Sequence, residues 1–398
     1  MRILWHSNAP WVNSGYGTQT ATVVPRLRGM GHDVAISCSF GLQGKPIQMD
    51  GITVLPMGRD QYSNDILPAH AAYTGADIVI TLLDAFALEA CAVRQLRWVP
   101  WLPIDTEPVA PDVAQALTTA YQPIAFSRFG ERKLYEAGFK PMYVPHGIDT
   151  AIFQPHDQAK GRHLLGVQEE AFLVGIVAAN TGAPSRKAFD QQIRAFARFR
   201  QHHPDSLLYL HTDLTEIGKR RGEDIERLLA LADIPPTAVI RVDPYRYATG
   251  LISQAEMAQR YNALDVLLNA SRGGGFELPL IEAQACGTPV ITTDFSAMAE
   301  LVFGGWKVSY VDKCFYQNAY QVTPSVDGIV AALEAAYEMK RSGQIAPLRA
   351  KARAGALQYD ADHVAQAYWK PTLAQIEARL RSAKQRLTPV MLPKERTA

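Results

Sequence analysis

The sequence predicts an α/β protein built from two doubly wound parallel-sheet domains that face each other across a cleft. Short, continuous apolar runs alternate with longer amphipathic stretches, which is the pattern of parallel strands covered by helices on both faces. The same alternation restarts in the second half of the chain. The length of 398 residues fits two domains at ~150 residues each.

The first half of the chain carries the first set of alternating elements. Strands are predicted at residues 2–6, 33–40, 52–56, 77–83, 98–103, 123–127 and 142–145. Helices are predicted at residues 19–30 and 131–137, each followed directly by a glycine that ends it. These elements constitute a predicted N-terminal domain at residues 1–150.

The second half repeats this organisation. Strands are predicted at residues 172–179, 206–212, 239–243, 265–270, 289–293 and 306–310, and helices at residues 189–202, 223–232, 256–262, 279–286 and 326–341. We place the C-terminal domain at residues 151–358, because a glycine and two prolines interrupt the periodicity at residues 145–155. Residues 359–388 are predicted as a helical segment, kinked at Pro371, that packs back on the body, and residues 389–398 as a disordered tail.

Charge and hydropathy exclude several classes of protein. There are 40 Lys and Arg against 39 Asp and Glu, so the chain lacks the overall positive field of a general nucleic-acid binder. The charge is unevenly distributed, because residues 340–398 hold twelve basic and four acidic residues. An anionic acceptor therefore remains an alternative. The first residues do not form a signal peptide, and the apolar runs are far shorter than the ~20 residues of a membrane span. We therefore expect a cytoplasmic protein without a transmembrane segment.

Two loops at the starts of the domains have the composition of anion sites. Residues 13–18, which include Gly15 and Gly17, lie between the first predicted strand and a helix, where glycines let a backbone approach a phosphate. The alternative is a plain strand-to-helix turn. Residues 180–187 follow the first strand of the second domain and end in Arg186 and Lys187, which suit a diphosphate. The alternative there is a solvated pair of charges.

The most specific segment is residues 271–291, which read SRGGGFELPLIEAQACGTPVI. A predicted strand ends before it, a three-glycine loop follows, and a helix then opens with Pro279 near its first turn. The backbone amides of Gly274, Gly275 and Phe276 are candidates to cradle phosphate oxygens. Glu282 lies just inside the helix, where its carboxylate can accept hydrogen bonds from two ribose hydroxyls.

This segment resembles the donor-site signature of the retaining nucleotide-sugar glycosyltransferases that include glycogen synthases and bacterial mannosyltransferases, the group 1 glycosyl transferases. Their signature runs E-G-F-G-L-P-x-x-E-A-x-A-C-G-T-P-V-I. The resemblance extends to the early glycine loop, to residues 144–149 and to the pair at residues 186–187. It is specific in the second half and only general in the first. It implies the GT-B fold, in which two Rossmann-like domains face each other across a cleft. Residues 1–150 would then be the acceptor domain and residues 151–358 the nucleotide-sugar donor domain.

The resemblance also implies roles for individual residues. Arg186 and Lys187 would hold the donor diphosphate, and Glu282 would bind the ribose. Gly274, Gly275, Phe276 and Glu277 would form the loop beneath the sugar and phosphates, while Gly15 and Gly17 would approach the phosphate from the other domain. The chain departs from the signature at Gly274, where the family has a glutamate that contacts the transferred sugar. Glu277 is a candidate to replace it.

The acceptor side has fewer signals. Asp105 follows the strand at residues 98–103 and is a candidate to orient a hydroxyl or to act as a base, with a loop cap as the alternative. Asp84 is a similar candidate. His6 and His146 are more consistent with structural histidines. The Asp-x-Asp of a metal-dependent transferase occurs only at Asp360 and Asp362, near the C-terminus, where it is better explained as a helix cap.

The predicted function is therefore transfer of a sugar from a nucleoside-diphosphate sugar to an acceptor hydroxyl, with retention and without a metal or other cofactor. Glycans, lipid-linked sugars, proteins and modified nucleic-acid bases remain open as acceptors, and the sequence does not indicate an oligomeric state. The alternatives are a degenerate protein that binds sugar nucleotide without transfer, which Gly274 keeps open, and a sugar-nucleotide epimerase or hydrolase.

Overall fold

The computed structural model describes residues 1–214 and 222–386. The predicted tail at residues 389–398 and the last two residues of the predicted helical segment lie outside this range. The α/β fold class predicted from the sequence is confirmed, with two large, mainly parallel sheets.

The N-terminal half alternates strands and helices in the predicted way. Its elements are β1 (Arg2–Asn8), α1 (Gly15–Gly29), β2 (Asp33–Phe40), β3 (Ile47–Met49), β4 (Ile52–Leu55), α2 (Leu67–Thr74), β5 (Ile78–Leu82), α3 (Ala90–Val93), β6 (Trp98–Leu102), α4 (Pro111–Leu117), β7 (Ile124–Ala125), α5 (Arg128–Glu136) and β8 (Met142–Tyr143). Within the described residues they give an eight-stranded sheet in the order β3-β4-β2-β1-β5-β6-β7-β8. Only the pairing of β3 with β4 is antiparallel there.

The C-terminal half builds a second sheet. Its elements are α6 (Gln158–Leu165), β9 (Phe172–Val177), α7 (Phe189–His202), β10 (Ser206–His211), α8 (Ile225–Leu231), β11 (Val239–Arg241), α9 (Pro244–Ala248), α10 (Gln254–Ala263), β12 (Val266–Asn269), α11 (Leu278–Ala285), β13 (Val290–Thr293), α12 (Ser296–Glu300) and β14 (Gly305–Val308). In the described chain this sheet has six parallel strands in the order β11-β10-β9-β12-β13-β14. The carboxyl ends of β9 and β12 therefore lie side by side, which brings the loops after them together.

Helix ends follow the local sequence. The Ser14 hydroxyl accepts the amide of Gly17 at 3.1 Å and caps α1, because the first amides of a helix have no partner within it. Helix α11 has Pro279 in its first turn and is followed by Gly287 in the left-handed conformation (φ 78°). These signals fix where the two candidate loops end.

The last part of the chain begins with a hairpin and ends in helices that pack on the N-terminal half. It comprises β15 (Tyr310–Tyr316), β16 (Ala319–Pro324), α13 (Val326–Arg341), α14 (Ile345–Ala356), α15 (Ala361–Val364) and α16 (Lys370–Arg386). A π-helical turn at Ala365–Trp369 joins the last two helices, and Pro371 follows it in the first turn of α16. The ring of Trp369 packs against Trp5 and Trp101 at 6.0 and 4.9 Å between centroids, so this segment shares the core of the N-terminal half.

The antiparallel hairpin of β15 and β16 was not predicted. Its signal is present, because alternating side chains flank Gln317 and Asn318, and both of these residues adopt positive φ as a two-residue hairpin turn requires. The hairpin reaches the N-terminal half. Glu107 and Tyr320 exchange backbone hydrogen bonds at 3.0 and 3.1 Å, and Lys313 lies 2.7 Å from the Glu107 carboxylate.

Across residues 1–214 and 222–386, none of the helices combines the length and the apolar character needed to cross a bilayer.

Candidate active site

A cavity of about 500 Å³ lies between the two halves, at the carboxyl ends of their strands. The N-terminal half contributes Ser14 to Tyr16 at the start of α1 and the acidic residues Asp84 and Asp105 that follow β5 and β6. The C-terminal half contributes Arg186, Lys187 and residues 275–279. The topology thus brings together residues that lie up to about 260 positions apart in the sequence.

A compact cluster of charges occupies the C-terminal wall. The Nζ atom of Lys187 lies 2.5 and 2.6 Å from the two carboxylate oxygens of Glu277. Arg186 donates to the same carboxylate at 3.2 Å and also to the carbonyl oxygen of Gly273. The Nε atom of Arg186 lies 3.7 Å from Asp105 across the cavity. Two cations therefore converge on one anion at the end of strand β9.

Burial and mutual charge set the protonation states of this cluster. Burial lowers the pKa of Lys187 to about 8, against the opposing attraction of Glu277. Burial alone would raise the pKa of Glu277, but Lys187 and Arg186 outweigh it and hold that pKa below its usual value. The pKa of Arg186 is raised, since Glu277 and Asp105 together outweigh its burial. At neutral pH the cluster is therefore a buried carboxylate between two cations, with Asp105 facing Arg186 across the cavity.

The glycine loop of the C-terminal half touches the N-terminal half directly. A Cβ atom on Gly275 would lie 2.1 Å from the Cβ of Pro103, and one on Gly273 would lie 2.5 Å from the carbonyl oxygen of Asp105. These are distances that no side chain tolerates, so the loop can approach only as glycine. The loop therefore fits the opposing strand end in addition to lining the cavity.

Two of the predicted glycines have their amides engaged elsewhere. The amide of Gly274 donates to the Ser296 hydroxyl at 3.0 Å, and that of Gly17 donates to Ser14. Neither residue lines the cavity, and the amide of Gly274 is not the bare donor that the sequence led us to expect. Donor binding by these two residues stays a prediction. Gly17 is instead required by packing, since its Cβ would lie 2.2 Å from the carbonyl oxygen of Val12. Gly15 and Gly275 do line the cavity, and their contact with a donor stays a prediction.

The space next to Gly274 is taken by Glu277. A Cβ on Gly274 would lie 2.6 Å from Oε1 of Glu277, so this carboxylate occupies the volume into which a longer side chain at residue 274 would begin. Phe276 lines the cavity and makes an edge contact with His146 at 4.9 Å.

The acidic residues of the N-terminal wall are connected to the cluster. Burial raises the pKa of Asp105, with Glu277 adding to the effect and Arg186 opposing it. The amide of Gln321, from the unpredicted hairpin, donates to Asp105 at 3.1 Å. Burial also raises the pKa of Asp84 to about 6, and the hydroxyl of Tyr16 donates to it at 3.3 Å. Tyr16, Gln321 and the cavity-lining Tyr316 are the residues here that sequence reasoning missed.

Glu282 lies outside the cavity wall, one turn into α11. Its Oε2 atom accepts a hydrogen bond from the Tyr261 hydroxyl at 2.8 Å. Burial raises its pKa to about 7, with the Tyr261 hydrogen bond opposing the change. The structure therefore places this carboxylate in the same helix as the cavity-lining residues Leu278 and Pro279. One of its two oxygens is already hydrogen-bonded to Tyr261.

The histidines differ in their surroundings. His6 has both ring nitrogens partnered at 3.0 Å, by the Ser37 hydroxyl and the Tyr62 carbonyl oxygen, which is consistent with a structural role. Burial lowers the pKa of His146 to about 3, so its ring is neutral at the cavity wall. The helix-cap interpretation of Asp360 agrees with the structure, since its Oδ1 accepts the amides of Asp362 and His363 at 3.0 and 3.1 Å.

Residues 173–338 match the family described as "Glycosyl transferases group 1". This segment is similar to the group 1 glycosyltransferases. It includes the charged cluster, the glycine loop and Glu282, so the resemblance inferred from residues 271–291 is confirmed.

Curated relatives match part of the chain. A D-inositol 3-phosphate glycosyltransferase of Kribbella flavida is 31% identical over 162 residues, which is 41% of this chain and 37% of the relative. The enzyme of the same name from Stackebrandtia nassauensis is 28% identical over 236 residues, or 58% of this chain and 46% of the relative. The chain thus spans less than half the length of these two relatives.

Solved structures match nearly the whole chain and establish the fold. Sucrose-phosphate synthase from Thermosynechococcus elongatus superposes with a TM-score of 0.73 at 17% identity, covering 96% of this chain and all of the other. HepE of Anabaena, in complex with UDP-glucose, superposes with a TM-score of 0.68 at 16% identity, covering 94% of this chain and all of the other. The chain therefore shares the GT-B fold of these structures, and the segment that matches the group 1 family lies in its C-terminal half.

Proposed function

We propose that the protein is a glycosyltransferase that moves a sugar from a nucleoside-diphosphate sugar to an acceptor hydroxyl. The observation that carries the proposal is the convergence of Arg186 and Lys187 on Glu277 in a cavity shared by both halves. Cations held in a partly buried site stabilise negative charge far better than cations in water, and they require little reorganisation during the reaction.

The chemistry follows from this placement. The bond between the anomeric carbon and the β-phosphate oxygen breaks, and a bond forms between that carbon and the acceptor oxygen. The acceptor proton passes to the departing phosphate, so the products are the glycosylated acceptor and the nucleoside diphosphate. Arg186 and Lys187 would stabilise the charge that grows on the leaving group. Asp105, 3.7 Å from Arg186 and fixed by Gln321, would orient the acceptor hydroxyl.

Retention of anomeric configuration and independence of metal are part of the proposal. With two cations and the start of α11 at the leaving group, the site supplies positive charge from its own residues. Attack on the face that the leaving phosphate vacates needs no enzymic base. Proton NMR of the product determines the configuration, and EDTA treatment tests the metal requirement.

The related proteins guide the choice of donor. The Anabaena structure contains UDP-glucose, which makes a UDP-sugar the first donor to test. The names of the curated relatives specify D-inositol 3-phosphate, which makes a phosphorylated polyol one acceptor to test. The other acceptors to test are glycans, lipid-linked sugars, proteins and hydroxylated nucleobases.

The experiment supplies UDP-, GDP- and ADP-sugars separately with each acceptor class and measures nucleoside diphosphate release and acceptor mass. Release that requires an acceptor, with a matching mass shift, supports transfer. Release with water alone would instead support a hydrolase, and conversion of the sugar nucleotide itself an epimerase. Binding without turnover would support the degenerate alternative, which Gly274 keeps open. If the cluster carries the activity, Lys187→Ala should abolish release of nucleoside diphosphate. The control Lys370→Ala, at an exposed site, should release it at the wild-type rate.

A further inference from the structure

A second, larger cavity of about 1030 Å³ adjoins the candidate active site. The two cavities share Ser14, Tyr16 and Asp84 as a common wall. The remaining wall comes mainly from loops that follow β1 and β2, and the C-terminal half contributes Thr181 and residues 248–250. A molecule in the second cavity would therefore meet the charged cluster only across the boundary at Asp84.

Exposed aromatic rings line this cavity. Trp11 is 47% exposed and Phe40 is 53% exposed, although both are large apolar side chains. The indole nitrogen of Trp11 donates to the carbonyl oxygen of Gly41 at 2.9 Å, so the ring is held in place with its polar edge already satisfied. Fixed rings of this kind offer apolar faces on which the C–H groups of another ring can pack.

The rest of the lining is polar but almost uncharged. The side-chain amide of Asn8 donates to Ser14 at 2.9 Å and its oxygen accepts from Ser39 at 3.2 Å, which gives the wall a fixed set of neutral hydrogen-bonding groups. Among the lining residues that the structure describes, Asp84 is the only one that carries a charge. A phosphate bound there would lose its hydration without gaining a cation from these residues, and Asp84 would repel it.

We propose that this second cavity binds the acceptor and that the acceptor is an uncharged carbohydrate. Its ring packs on Trp11 and Phe40, its hydroxyls meet the neutral polar wall, and the reacting hydroxyl passes Asp84 towards the donor. This inference rests on the proposed function and adds the chemical class of the acceptor, which the sequence left open. Under this inference the chain differs in acceptor class from transferases that use a phosphorylated acceptor.

The test uses tryptophan fluorescence with UDP present, because Trp11 is the exposed one of the six tryptophans. Trp5, Trp98, Trp101 and Trp369 are fully buried, and Trp306 is half-buried. The probes are glucose, mannose, N-acetylglucosamine, their β-methyl glycosides and maltose, each compared with its phosphorylated counterpart where one exists, and an uncharged phenol. Transfer to the same compounds is measured by mass. Trp11→Phe identifies the part of the signal that Trp11 contributes.

We expect at least one neutral saccharide to change the Trp11 signal and to accept sugar, with its phosphorylated counterpart at least tenfold weaker. Trp11→Ala and Phe40→Ala should each raise the acceptor KM by about tenfold or more while the donor Kd stays within about twofold. Tyr73→Ala, which removes an exposed ring on α2, should change neither.

Several results would overturn the assignment. The protein could prefer the phosphorylated compounds, or it could glycosylate the phenol alone. The Trp11 signal could fail to respond to any neutral saccharide although UDP binds. The acceptor KM could stay unchanged in both Trp11→Ala and Phe40→Ala. Failure of the proposed function looks different, because no sugar would then pass from any sugar nucleotide to any acceptor, charged or neutral, whether or not the nucleotide binds.

Discussion

The ammonium group of Lys187 lies between the two carboxylate oxygens of Glu277, at 2.5 and 2.6 Å, on the wall of the cavity between the halves. Ninety positions separate the two residues in the chain. The pair joins the two segments that the sequence predicted to bind the donor, and Arg186 donates to the same carboxylate.

Removal of Lys187 should weaken donor binding. Lys187→Ala is expected to lower UDP affinity about 10- to 100-fold, which is the usual effect of losing one charge-assisted hydrogen bond. In the wild type the affinity should also fall as the pH rises through about 8, because the ammonium then loses its proton. Calorimetry across that range measures both effects. Affinity independent of pH above 8, or equal in the variant, would contradict the assignment.

Gly275 should matter through the contact between the halves. Gly275→Ala places a Cβ 2.1 Å from that of Pro103, so the halves cannot approach as they do here. We expect turnover to fall about 100-fold, the scale of loss when reacting groups are displaced by about 1 Å. Gly29→Ala is the matched control, since a Cβ there meets nothing within 4 Å. Wild-type turnover in Gly275→Ala would show that the contact is dispensable.

Glu282 should make stability depend on pH. Burial raises the folded pKa from 4.5 to about 7, so the folded state binds the proton more tightly than the unfolded state does. Its contribution is therefore present below pH 4.5 and is lost as the pH rises through about 7, by an amount on the order of 3 kcal/mol. Urea unfolding at several pH values should show a shallower decline in Glu282→Gln, whose oxygen still accepts from Tyr261. An identical decline in both proteins would exclude this role.

Trp369 should anchor the last helices to the N-terminal half. Its ring is fully buried against Trp5 and Trp101, so Trp369→Ala is expected to lower the free energy of unfolding by about 3–5 kcal/mol. Trp369→Phe is the control and should cost clearly less, because the indole nitrogen has no hydrogen-bond partner among the described residues. Equal losses in the two variants, measured by urea unfolding, would argue against a packing role.

Most of the fold could be predicted from the sequence, because buried parallel strands appear as short, continuous apolar runs. Helices α7 and α13 were predicted with their observed bounds, and strand β2 likewise. Strand ends shifted by one to three residues in several cases, for example at β7, where hydrogen bonding stops before the apolar run does. The short strand β3 was missed because it has only three residues and pairs at the sheet edge.

The candidate site was predicted less completely. Arg186, Lys187 and Glu277 were named from their loops, but nothing local indicates that the two cations bind that carboxylate. The partners Tyr16 and Gln321 carry no motif, and only the folding of four separate segments of the chain brings them to Asp84 and Asp105. The sequence also contains no sign that the amide of Gly274 has a partner, because Ser296 lies 22 residues further along the chain, in α12.

The sequence by itself determined the two-sheet α/β class, the glycine loop and the cationic pair, because each depends on residues close together in the chain. Tertiary structure decided which of these groups meet. It seated the glycine loop against Pro103, enclosed Glu277 between two cations and opened a neutral aromatic cavity beside Asp84. These arrangements depend on distances and burial between elements from both halves, and no local pattern in one half encodes the surface of the other.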